Sequence, residues 1–157
     1  MAVTVFLDTS VLLAGLVDFG PQSAPAQQVL HAVAERKLAA GTAWHCCLEV
    51  FSVATRLPPE FRLTPKDAAQ LLEEEVFGRM AVFDLPADAR VPFLRMAADE
   101  GIGGGRVYDA HIAEIARAAN AAVIVTDNRR HFLSALRYDM RVETPSEFVG
   151  ALKGKRT

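Results

Sequence analysis

Val3 to Leu7 (VTVFL) and Ala122 to Thr126 (AVIVT) are short runs, mostly apolar and rich in β-branched side chains. They read as strands rather than helices. A strand that is apolar without alternation is buried on both faces, so helices must cover it above and below. The intervening chain supplies them. Ala24 to Ala40 reads as a helix with Gly41 as its stop. Cys46, Val50, Val53, Ala54 and Leu57 recur at helical spacing, and Pro58 and Pro59 end that helix. A third helix opens with Thr64 as N-cap and Pro65 at its first position and runs to Phe77. Residues 86–101 form a fourth, with Pro92 as a potential break, and residues 106–120 an Ala-rich fifth that ends at Asn120. A last helix starts at Pro145. Thr42–Trp44, Met80–Leu85 and Arg141–Thr144 add strand-like segments. Strands alternating with helices predict a three-layer α/β/α sandwich with a mainly parallel central sheet. One domain is expected over residues 1–152, with 153–157 as a short, frayed basic tail.

The bulk properties narrow the class. The 157 residues suit a single domain, and 51% hydrophobic with 23% charged is ordinary for a globular chain. The apolar run from Val11 to Val17 is far too short to span a membrane, and no basic residue precedes it as in a secretory leader. A cytoplasmic protein is expected. Cys46 and Cys47 are neighbours without the spaced partners of a zinc site, so both are expected to be reduced thiols. The net charge of −2 is unevenly spread: residues 1–105 hold 8 Lys/Arg against 13 Asp/Glu (−5), and residues 106–157 hold 9 against 6 (+3). The positive excess in the C-terminal third includes Arg129, Arg130, Lys153, Lys155 and Arg156.

Each of the two apolar strands is followed by an aspartate, Asp8 and Asp127. In open parallel sheets ligands bind beyond the carboxyl ends of the strands, which is where both acids fall. Glu49 shares the inward stripe of Cys46, Val50, Val53 and Leu57. Asp109 shares that of Ile112 and Ala116, in the first turn of its helix. Each acid alone has a structural explanation. Asp8 can cap the next helix or close an Asx-turn with Ser10, Glu49 can keep its head in water, Asp109 suits a helix N-terminus, and Thr126–Asn128 can be a simple turn. Capping does not explain why all four fall at one predicted edge. Gathered there, they repel one another, and divalent cations with a preference for oxygen relieve that repulsion.

The pieces FLDTSVLLA, LEVFSVATRL, GGRVYDAHIAEIA and VIVTDN, in this order and spacing, resemble the PIN-domain family, and within it the VapC-type toxin ribonucleases of bacterial toxin–antitoxin pairs. The resemblance covers nearly the whole chain. It implies an acidic cluster of Asp8, Glu49, Asp109 and Asp127 that binds one or two Mg²⁺ or Mn²⁺ ions. Thr9, Ser10, Thr126 and Asn128 match positions that support such a site, and His111 stands where the family commonly has a bulky apolar residue. It also implies an RNA substrate, a cognate antitoxin and a homodimer, with no membrane partner.

The expected chemistry is metal-assisted phosphodiester hydrolysis, in which a bound ion acidifies water and neutralises developing charge. Asp8 and Asp109 are expected as direct ligands, Asp127 as direct or through water, and Glu49 as a ligand or an orienter of the attacking water. Arg106, Arg129 and Arg130 are the candidate RNA-backbone contacts, each balanced by a structural alternative. Phe51, Leu57 and Phe77 are candidates for a partner groove that core packing explains equally. A phosphotransfer receiver needs an acidic pair after its first strand, and only Asp8 is there. A haloacid-dehalogenase-type phosphatase needs a second aspartate where Ser10 stands, and GIGGGR lacks the third glycine of a dinucleotide fingerprint. A housekeeping RNA-processing or DNA-directed PIN nuclease, or a non-catalytic PIN-like binding module, remains as an alternative.

Overall fold

A computed structural model describes residues 3–154, the side chains at 134, 136 and 137 excepted. Five strands form the sheet: β1 (Val5–Leu7), β2 (Ala40–Ala43), β3 (Ala81–Phe83), β4 (Val123–Val125) and β5 (Arg141–Glu143). Their order is β3-β2-β1-β4-β5 and every pairing is parallel. The α-helices are α1 (Thr9–Leu16), α2 (Ala24–Ala34), α3 (Trp44–Ala54), α4 (Pro65–Leu72), α5 (Arg90–Asp99), α6 (Arg106–Ala118) and α7 (Pro145–Gly154). The sheet grows from β1 towards β3, then resumes on the other side of β1 with β4. Right-handed crossovers therefore put α1–α4 on one face and α5 and α6 on the other. The contacts agree: α1 packs on α2 and α3, α7 on α2, and α5 on α6. The predicted three-layer sandwich is thus what the chain forms. β1 is its axis: Val5, Phe6 and Leu7 are fully buried, as are Val123, Ile124 and Val125 beside them.

Several local readings change. α2 ends at Ala34, not near Ala40. Arg36 takes a left-handed φ of 61°, and the Lys37 amide donates back to the Ala32 carbonyl, which closes the helix. Good helix formers continue past this point, but sheet pairing claims Ala40–Ala43. Gly41 lies inside β2 rather than stopping a helix, because a Cβ there would sit 2.8 Å from the Phe83 ring and 3.1 Å from Val3 Cγ1. α4 begins as predicted, with Thr64 Oγ1 accepting from the Asp67 amide at 3.1 Å, and then widens into a π-turn at Glu73–Phe77. Pro92 is tolerated because it lies in the first turn of α5, where amides have no helical acceptor. Asn120 adopts the left-handed φ of 59° beyond α6. The 3₁₀ segment Arg129–Tyr138 between β4 and β5 was not foreseen.

Lys153 and Gly154, expected in a frayed tail, close α7, and residues 155–157 lie outside the described residues. Cys46 and Cys47 are free and buried, and burial pushes both thiols up to about 11. No helix among the described residues is long and apolar enough to cross a membrane. Gly41→Val is expected to destabilise the fold by about 1–3 kcal/mol, since neither Val3 nor the Phe83 ring can retreat without opening the β1–β2–β3 packing; urea denaturation measures it.

Candidate acidic site at the carboxyl edge of the sheet

Because β1 lies at the reversal of strand order, the connections after β1 and β4 diverge and leave a crevice between them. Asp8 follows β1 there, and Thr126, Asp127 and Asn128 follow β4. The Asp8 amide continues the sheet ladder by donating to Val125 O at 3.3 Å, and Thr42 Oγ1 donates to Leu7 O at 2.7 Å, so the end of β1 is held from both neighbours.

The Asp8 side chain does two jobs. Oδ1 caps α1, accepting from the Ser10 amide (2.9 Å), the Ser10 hydroxyl (2.6 Å) and the Val11 amide (3.3 Å). The capping explanation therefore holds. It does not account for Oδ2, which accepts from the Thr126 hydroxyl at 2.6 Å across the crevice. Thr126 Oγ1 in turn accepts from the Asn128 amide at 2.9 Å, and Ser10 Oγ accepts from the Asp127 amide at 3.0 Å. Hydroxyls thus lace the two strand ends together. Asp8 is only 4% exposed, and the groups that offset its burial are hydroxyls and amides, none of them cationic. Burial pushes its carboxyl above the usual range in spite of these bonds. Beside it Thr9 Oγ1 is buried against the Cys46 thiol, its hydrogen-bonding neighbour.

The other acids differ in what they face. Asp127 is exposed, partial desolvation alone shifts its carboxyl upward, and its carboxylate accepts no hydrogen bond among the described residues. Asp109, in the first turn of α6, is also shifted upward, first by burial and further by the repulsion of Glu49. His131 and His45 oppose that shift, with His131 Nδ1 at 3.4 Å from Asp109 Oδ2. Glu49 on α3 is 42% exposed and pairs with His45 one turn earlier. Asp109 and Glu49 are therefore close enough to repel, while Asp8 is tied through Ser10 Oγ to the backbone of Asp127. Among the described residues no three His, Cys, Asp or Glu side chains are drawn into a ready-made ligand set. The expected single cluster is looser than foreseen because Asp8 turns to hydroxyls and amides, Glu49 to His45 and Asp109 to His131. The chemistry of the set still fits a hard divalent cation: oxygen donors, raised carboxyls at Asp8, Asp109 and Asp127, and an Asp127 carboxylate that accepts no hydrogen bond among the described residues.

Of the three arginines, Arg129 is engaged elsewhere: its guanidinium meets both oxygens of Glu147 at 3.0 and 3.1 Å. Glu147 also accepts from the Thr144 amide, in a reciprocal capping box at the start of α7. Arg106 opens α6 and Arg130 follows Arg129, both exposed. Sequence reasoning singled out His111 only as a departure from the family pattern and gave no role to His45 or His131; the structure sets His45 and His131 against the acids and His111 against His45, and of the first two only the position of His45, four residues before Glu49, offered a signal.

The PIN domain family model matches residues 4–130. Ribonuclease VapC27 of Mycobacterium tuberculosis is 40% identical over 86 residues; the match covers 55% of this chain, and the chain spans 60% of that relative's length. Ribonuclease VapC40 of the same organism is 31% identical over 124 residues, 78% of this chain and 85% of that protein. Among solved structures, Mycobacterium tuberculosis VapC20, a toxin that cleaves the sarcin–ricin loop, has a similar fold: TM-score 0.58 over 77% of this chain and 87% of that one, at 15% identity.

Thr126→Val keeps the shape and removes the one donor that the described residues give Asp8 Oδ2. It is expected to cost about 1–3 kcal/mol of unfolding free energy in metal-free buffer. The sign with pH follows from the raised Asp8 carboxyl. Its burial is costless below the unfolded-state value and costs most above the folded value, so the variant's deficit grows as pH rises towards neutrality. Denaturation of both proteins at acid and neutral pH measures the difference.

Proposed function

Because the chain belongs to the PIN-domain family, with VapC ribonucleases among its relatives, we propose that it is a Mg²⁺- or Mn²⁺-dependent endoribonuclease and the toxin of a toxin–antitoxin pair. The observation that carries this reading is Asp8, a buried carboxylate without a countercharge, set at the sheet's switch point with Asp127 beside it. Asp8, Asp109 and Asp127 hold one or two ions. The ions that these carboxylates would hold would supply an acidified water and positive charge beside the phosphate. Ser10 and Thr126 keep Asp8 oriented, and Ser10 Oγ anchors the backbone of Asp127. Glu49, held by His45, orients the attacking water. Arg106 and Arg130 meet the RNA backbone, while Arg129 fixes the start of α7 through Glu147.

The same reading includes an antitoxin that masks the site and a homodimer. It is supported by an exposed apolar patch of Trp44, Leu48 and Phe77, in which Trp44 and Phe77 meet edge-on at 6.1 Å. Of the groove candidates named from sequence, Phe77 is exposed at 48%, whereas Phe51 packs against the core.

Incubating the purified protein with RNA and DNA panels in Mg²⁺, in Mn²⁺ and in chelator tests the reading. RNA cleavage is expected with either ion and none with chelator. Asp8→Asn is expected to lose at least about 100-fold in activity yet stay folded, because its amide oxygen still accepts the capping bonds. Full activity in chelator, undiminished cleavage by Asp8→Asn, or cleavage of DNA alone would overturn it.

A further inference from the structure

An aromatic chain runs from the protein interior to the mouth of the acidic site. Phe93 of α5, 9% exposed, packs against His111 of α6 with ring centroids 5.7 Å apart. His111 meets His45 of α3 edge-on at 6.1 Å. His45 in turn stacks on Tyr108 at 5.4 Å with the planes only 10° from parallel. Three elements thus build one column, buried at Phe93 and open at Tyr108, which is 56% exposed. A large aromatic ring left in water at the end of a packed column is unusual, since its own burial would be favourable. The Tyr108 hydroxyl makes no hydrogen bond to the described residues, so its polar end does not explain its placement. Gly103, Gly104 and Gly105 precede the helix, and a Cβ on any of them would meet nothing within 4 Å, so the approach is open.

The column also ends at the reacting groups. Tyr108 is next to Asp109 in sequence, and His45 pairs with Glu49. A flat, supported, half-covered ring beside a phosphodiester site fits one kind of ligand, a nucleobase with an unstacked face.

We propose that Tyr108, supported by His45, is the stacking platform for one base of a single-stranded RNA substrate next to the scissile phosphate. The proposal rests on the ribonuclease reading above and goes beyond it, making Tyr108 a positioning residue that sets binding of single-stranded over paired RNA. Stacking tolerates any base, so the platform favours exposed bases rather than a given sequence.

The test is kinetic. Wild type, Tyr108→Ala, Tyr108→Leu and Tyr108→Phe are compared on a single-stranded oligoribonucleotide and on a copy with one base-free ribose at successive positions. Tyr108→Ala and Tyr108→Leu are expected to raise KM roughly tenfold with a far smaller change in kcat, while Tyr108→Phe, which keeps the ring, restores the wild-type KM. Removing one particular base should raise KM for wild type and leave it unmoved for Tyr108→Ala. Circular dichroism melts check that the exposed substitutions leave the fold intact. Wild-type KM in Tyr108→Leu, or equal sensitivity of wild type and Tyr108→Ala to every base-free position, would overturn the platform while leaving the nuclease in place. Failure of wild type to cleave any RNA would instead overturn the reading beneath it, and the platform with it.

Discussion

The hydrogen bond from Thr126 to Asp8 joins residues 118 apart in sequence, and the rest of the site depends on it. A carboxylate at 4% exposure is costly unless every lone pair finds a donor. The chain meets that cost with short, non-cationic donors supplied by the two strand ends that flank the switch point. Ser10 and Val11 come from the start of α1, and Thr126 from the end of β4. Because the donors are neutral, they hold the carboxylate in place without cancelling its charge. An arginine there would have made a stable ion pair and an inert one.

The outer pair of acids is handled differently. Asp109 and Glu49 repel each other, and each faces a histidine, His131 and His45. The edge of the sheet therefore grades from a deep carboxylate fixed by hydroxyls to shallow carboxylates leaning on histidines. His45 also belongs to the aromatic column that ends at Tyr108, so one side chain links the orientation of Glu49 to the surface on which a substrate would lie.

Much of this was legible in the sequence, for reasons that are local. β1 and β4 announced themselves because strands buried on both faces cannot alternate, and Thr64–Pro65 announced α4 because capping is a contact between near neighbours. The place of Asp8 and Asp127 followed from the rule for parallel sheets. What failed was what depends on distant partners. The end of α2 and the use of Gly41 were decided by Phe83 and Val3, residues that no window around Gly41 contains. The engagement of Arg129 by Glu147 crosses from the end of β4 to α7. The histidines at the site come from α3, α6 and the 3₁₀ segment after β4, and only the fold brings them together.

We propose that a divalent cation completes this edge. Thermal melts of the wild-type protein and of Asp8→Asn, in chelator and in rising Mn²⁺, test it most directly and without any substrate. Mn²⁺ is expected to raise the wild-type Tm at neutral pH, in step with its concentration. The shift should shrink as pH falls through the raised carboxyl range, where protons compete for the same oxygens, and should be largely lost in Asp8→Asn. A wild-type Tm indifferent to Mn²⁺ at neutral pH, or an equal rise in Asp8→Asn, would contradict it.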